Sequence, residues 1–181
     1  MQKKFILVVI LISIGSGLLS LVQADTCPNS LAIQQYFGQE KYLGQGTVYK
    51  FIIPAYDISL WIKRGHKWSY NCLFALEVKA RWDASKKEML DSTIEVMKRN
   101  TSLTESQEKD YTSFLNSFYP DLKEGDLVTV VYIPTQKILF YHNNQLLKES
   151  TDMAFARAFC DIWLSPKTKY ESARLAMLET K

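Results

Sequence analysis

The residue types that could carry thiol or metal chemistry are few: Cys27, Cys72, Cys160, His66 and His142. Structural zinc sites draw their ligands from closely spaced Cys and His, and here no Cys-x-x-Cys occurs and the two histidines stand alone, so no metal is expected. Asp57 and Glu77 could be imagined as an acid–base pair. Strand alternation instead sets Glu77 with Lys79 and Arg81 on a solvent-facing side, where cross-strand charge pairing accounts for them. Gly44-Gln45-Gly46 lacks the third glycine of a dinucleotide loop, and no Gly-x-Ser-x-Gly, His-Glu-x-x-His or phosphate-loop pattern appears. No catalytic constellation and no cofactor are expected. Asn100-Thr101-Ser102 fits the glycosylation acceptor pattern, which has meaning only on a eukaryotic secretory route.

Before those side chains can be positioned, the chain has to be divided. Of 181 residues, Met1 to Ala24 read as a secretory signal peptide: Lys3 and Lys4, an apolar run from Phe5 to Leu21, then Val22-Gln23-Ala24 at the cleavage position. Residues 25–181 remain as one domain. Loss of the two lysines leaves 20 basic against 19 acidic residues, too even a balance to neutralise phosphates, so nucleic acid is not an expected partner. The densest basic cluster, Lys63-Arg64-Gly65-His66-Lys67-Trp68, reads as a solvated turn between strands. No later apolar run approaches a membrane span. Export to an oxidising compartment permits disulfides, but three cysteines leave at least one unpaired within the chain. Cys160 sits mid-helix among Ala156, Phe159 and Trp163 as a small core residue, so any disulfide would join Cys27 to Cys72.

Periodicity then supplies the elements. After a polar start to about Gly46, strands are expected over Thr47–Ile53 and Ala55–Lys63, with a bend or an edge at Pro54. Leu73–Trp82 alternates most clearly, with Phe74, Leu76, Val78, Ala80 and Trp82 on one face. Capping-box patterns at Ser85–Glu88 and Thr104–Gln107 open two helices, to about Arg99 and Phe118. Three strands follow, Leu127–Ile133, Ile138–Tyr141 and Leu146–Lys148, the first apolar on both faces and hence central. Asp152 caps an almost wholly apolar helix to Trp163, and Thr168–Glu171 gives a third capping-box pattern before a last helix to about Leu178. This order predicts an α+β fold, a large antiparallel sheet with helices packed on one face.

Several stretches in this order resemble the chalcone isomerase-like family, in particular its exported bacterial branch. They are Tyr56-Asp57-Ile58-Ser59-Leu60-Trp61, Phe74-Ala75-Leu76-Glu77, Phe118-Tyr119-Pro120-Asp121 with Gly125-Asp126, Phe140-Tyr141 before Leu146-Leu147, and Phe155-Ala156-Arg157-Ala158-Phe159 with Ile162-Trp163-Leu164-Ser165-Pro166. The resemblance implies an open-faced β-sandwich whose ligand lies in a cleft between sheet and helices. Plant enzymes of this fold stabilise a phenolate with an arginine, a threonine, a tyrosine, a lysine, an asparagine and a late hydroxyl residue. Those roles fall here near Phe51, Met89, Ser92, Val96 and Ala156, and no arginine lies between Cys27 and Ile62. Preorganised donors supply most of the catalysis in such a site, so isomerase chemistry is not expected.

What the resemblance leaves is an exported, non-catalytic protein, periplasmic or secreted, binding a small apolar ligand such as a fatty acid. Tyr49, Lys50, Phe51, Met89, Ser92, Val96 and Ala156 are its candidate ligand-binding residues, with Lys50 and Tyr49 nearest a carboxylate. Two other readings stand beside it. One is an isomerase or intramolecular lyase on another substrate, which a cleft residue with a displaced pKa would favour. The other is an interaction module using the sheet face that carries Glu77 and Arg81, with a second protein or a second copy as partner. The leader reading has a direct check: N-terminal sequencing of the exported protein should return Asp25, and recovery of Met1 would refute it.

Overall fold

Alternation in Phe74-Ala75-Leu76-Glu77-Val78-Lys79-Ala80 sends odd and even residues to opposite faces of a strand, and each face meets its own apolar layer. The structure is a computed structural model that describes residues 30–38 and 40–178. The expected leader and Cys27, with its pairing to Cys72, lie outside those residues. Six strands, β1 (Glu40–Lys50), β2 (Ile53–Lys63), β3 (Phe74–Ala80), β4 (Leu127–Ile133), β5 (Lys137–His142) and β6 (Gln145–Ser150), form an antiparallel sheet in sequence order. β4 is central, as its two apolar faces require. Helices α2 (Lys86–Asn100), α3 (Glu105–Asn116), α4 (Met153–Leu164) and α5 (Glu171–Leu178) cover one face.

The helix starts follow the expected chemistry. Ser85 and Glu88 form a complete capping box, as do Thr104 and Gln107, and Asp152 accepts from the amides of Ala154 and Phe155. Thr168 behaves differently from its pattern. Its hydroxyl donates to the Ile162 carbonyl at 2.5 Å and accepts the Tyr170 amide at 3.1 Å, tying the end of α4 to the start of α5. Asn143 and Asn144 take φ of 47° and 72° in the two-residue β5–β6 turn, a conformation asparagine tolerates.

Three expectations need correction. First, the polar start contains a fifth helix, α1 (Leu31–Phe37), and the first half of β1. α1 lies on the far face of the sheet, where Ala32, Ile33 and Phe37 pack on Trp61, Ala75, Val131, Leu139 and Tyr141. Second, Glu77 is not solvated. It is 4% exposed on that far face, paired across strands with Ser59 and Thr129, both buried. The interaction-module reading loses its bare patch, because α1 covers the middle of this face. Third, the break between β1 and β2 is not Pro54 but the turn Phe51-Ile52, since Lys50 pairs with Ile53. Pro54 sits in β2 before its first pairing with β3 at Tyr56, where a missing amide costs no ladder bond.

Two other readings, of Cys160 and of the basic turn, hold. Cys160 is fully buried in the helix–sheet core, and burial pushes its thiol up. Residues 63–67 form an exposed turn. No group of three or more His, Cys, Asp or Glu among the described residues could hold a metal, and no described helix is long and apolar enough to cross a membrane.

Gly44 and Gly46 have a packing role in place of a nucleotide one. A Cβ on Gly44 would lie 2.9 Å from Met177 Cα, and one on Gly46 2.7 Å from Ala173 Cβ, so α5 rests directly on the β1 backbone. Gly46→Ala must therefore lift α5 from the sheet. It should destabilise the fold by about 2 kcal/mol, the usual scale of overpacking, read as a lower urea midpoint with unchanged slope.

Candidate functional site

Where the helix layer stands clear of the sheet it leaves a cleft of about 1010 Å³, large enough for one extended small molecule. Its floor is Val48 of β1, Val78 of β3, Val130 of β4 and Phe140 of β5; its roof is Met89 and Thr93 of α2 with Phe159, Ile162 and Trp163 of α4. Phe118, Tyr119 and Tyr170 close the sides. The aromatic rings are set by α4. Phe159 meets Phe140 edge-on at 4.9 Å, Trp163 meets Phe159 at 5.7 Å, and Phe155, outside the cleft, meets Tyr111 and Phe114 edge-on at 5.0 Å each.

Inside this apolar space the polar groups include phenols, one indole and the Thr93 hydroxyl. Trp163 Nε1 donates to Tyr56 Oη at 2.9 Å, and Tyr119 Oη lies 3.3 Å from Thr93 Oγ1. Burial raises both phenols well above their ordinary value, and Tyr56 is raised further by the neighbouring Tyr170 hydroxyl. They therefore stay neutral hydrogen-bonding groups at physiological pH.

Charge is confined to the rim. Lys50 Nζ lies 3.4 Å from Glu88 and 5.2 Å from the Trp82 ring centre; Lys169 Nζ lies 2.9 Å from Glu95 and 5.5 Å from the Tyr170 ring. Asp83 and Asp91 also line the opening, which therefore presents two cations and four carboxylates. Glu88 is held below the usual carboxylate range chiefly by the Ser85 amide and hydroxyl, with Lys50 third. Its ionised form thus survives without the lysine.

Five of the seven sequence-predicted residues reach the cleft: Tyr49, Lys50, Phe51, Met89 and Ser92. Tyr49, Lys50 and Phe51 sit at its outer lip, and Phe51 is 93% exposed at the turn tip. Val96 and Ala156 do not reach it. Both are fully buried in the helix–sheet core, with no surface toward the cleft. Sequence reasoning missed Tyr56, Thr93, Tyr119 and Trp163. Tyr56 and Tyr119 stand in two of the family-like stretches, but only the fold turns their hydroxyls into one space.

A second polar cluster lies outside the cleft. Tyr70 Oη donates to Asp161 at 2.6 Å, Asn100 Nδ2 donates to the Asp161 carbonyl at 2.7 Å, and the Arg157 guanidinium lies 4.2 Å over the Tyr70 ring. Burial first, and then its neighbours, raise the Tyr70 phenol, and burial raises the Asp161 carboxyl. The cluster joins the β2–β3 loop, the end of α2 and the middle of α4.

The profile of a family described as chalcone isomerase-like matches residues 31–179. Among solved structures the fold is similar to that of a fatty-acid binding protein of Arabidopsis thaliana, with a TM-score of 0.60 and 10% identity, covering 84% of this chain and 90% of that one. No curated protein matches the chain.

Tyr56→Phe tests the cleft's polar lining. The change strands a buried indole N–H, so stability should fall by about 1–3 kcal/mol in denaturant titration, and a variant as stable as the parent would show that the bond contributes little.

Proposed function

Because the chain belongs to the chalcone isomerase-like family, we propose that it is an exported, non-catalytic binding protein of the periplasm or the extracellular space, of the family's bacterial branch, whose cleft holds a small apolar ligand such as a fatty acid. The observation that carries this reading is the cleft itself: an open apolar space whose phenols are held neutral and whose rim acid Glu88 is held ionised. Groups so far from neutrality suit contact better than proton transfer. The similar Arabidopsis protein, named for fatty-acid binding, supports the ligand class.

The alkyl chain would lie along Val48, Val78, Val130 and Phe140, with its head at the rim. Of the two rim cations Lys50 is the more accessible, since the Lys169 side chain is only 26% exposed. The Lys50 side chain is about half exposed, and Glu88 keeps its Ser85 bonds at 2.9 and 3.1 Å when the lysine turns away. The remaining rim carboxylates oppose an anionic head, so the lysine's contribution is modest.

Long-chain fatty acid and its methyl ester, titrated into parent and Lys50→Met protein, separate the parts of this reading. The variant should bind the acid about two- to fivefold more weakly, the scale of an exposed ion pair, and the ester unchanged. Equal losses for acid and ester would remove the carboxylate contact. Absence of binding by either would remove the ligand class, and turnover of a chalcone above background would remove the non-catalytic reading.

A further inference from the structure

Apart from Leu175, the large apolar side chains left exposed among the described residues are Leu31, Tyr49, Phe51, Ile52, Ile53 and Leu146. In a sequential antiparallel meander the β1–β2 and β5–β6 turns fall at the same end of the sheet, and all six residues stand at or beside them. Leu31 joins the group because its amide donates to Asn144 Oδ1 of the β5–β6 turn at 2.8 Å. This is also the end at which Tyr49, Lys50 and Phe51 line the opening of the cleft.

The tip is unfavourable for an isolated protein in two ways. Phe51 and Ile52 are 93% and 91% exposed, and Phe51 takes φ of 58°, a region that bulky side chains avoid and that two-residue turns usually fill with Gly, Asn or Asp. Strain and exposure held together at one place point to a contact made there.

Charge selects the partner. The rim at this end sets two cations, Lys50 and Lys169, against the carboxylates of Asp83, Glu88, Asp91 and Glu95, and Arg81 is paired with Asp57 at 2.7 Å and Lys123 with Asp83 at 2.7 Å, so the end offers no surplus positive field to an anionic surface.

We infer that this end of the sheet docks on a zwitterionic lipid surface, with Phe51 and Ile52 inserted among the acyl chains and the cleft opening onto the bilayer. Insertion removes the two rim-most apolar side chains from water, and the matched ion pairs remain at the headgroup level. A docked tip places the cleft's lip, at Tyr49, against the phase in which an apolar ligand is dissolved.

The test uses the exported protein, its N-terminus sequenced first, with ligand-free phosphatidylcholine vesicles. Ile52→Trp should be quenched by brominated phosphatidylcholine, and Gln136→Trp, in the β4–β5 turn at the opposite end, should not. Phe51→Gly with Ile52→Ser should weaken vesicle binding roughly tenfold or more. The same variant should melt no lower than the parent, because glycine relieves the strained turn, and parent binding should be insensitive to salt. Unchanged vesicle binding in the double variant, binding confined to anionic vesicles, or equal quenching at both ends would overturn the proposal. So would concentration-dependent self-association abolished by the double variant, which would assign the tip to a second copy. No ligand is present, so failure here leaves the acid and ester comparison untouched.

Discussion

Everything in this molecule depends on the distance at which aromatic rings hold α4 above the sheet. Phe155, Tyr111 and Phe114 fill the gap on one side of that helix, and their bulk prevents the layers from closing on the other. There, Phe159, Phe140 and Trp163 form walls and the space between them stays open. Smaller residues at the filled side would let the layers settle together. The cleft is thus a product of the core rather than a feature added to the surface, which is why its walls are core-type side chains with a few hydroxyls at their tips.

Much of this architecture could be read from periodicity and caps. Ser85 with Glu88, Thr104 with Gln107, and Asp152 announced α2, α3 and α4 because capping is local: donor and acceptor lie within three residues. The errors fall where no local signal marks the feature. α1 is seven residues long with three buried positions, too short for its pattern to stand out, and Glu77 is buried beside Ser59 and Thr129 of the neighbouring strands, which alternation within its own strand does not reveal. Phe51-Ile52 was read as strand because neither residue is a turn former, and a strained turn carries no sequence signal.

The candidate site was legible only in outline. Met89 and Ser92 face the cleft and Val96, one to two turns further along the same helix, does not, because α2 packs there against α3 and α4 and Val96 is buried in that core. Such packing is a property of two surfaces together, absent from either sequence segment alone. The same holds for Tyr56 and Trp163, whose 2.9 Å bond joins residues 107 positions apart.

The tie at Asn100 has a consequence for how the chain can be made. The amide nitrogen that would carry a sugar is the one that donates to the Asp161 carbonyl at 2.7 Å, in a half-buried seam between α2 and α4. Oligosaccharide transfer takes place on the nascent chain, before that seam closes. A carbohydrate added at this acceptor would keep α2 from seating on α4, so the yield of native protein from a glycosylating host is governed by a race between modification and folding, one that a bacterial host does not impose.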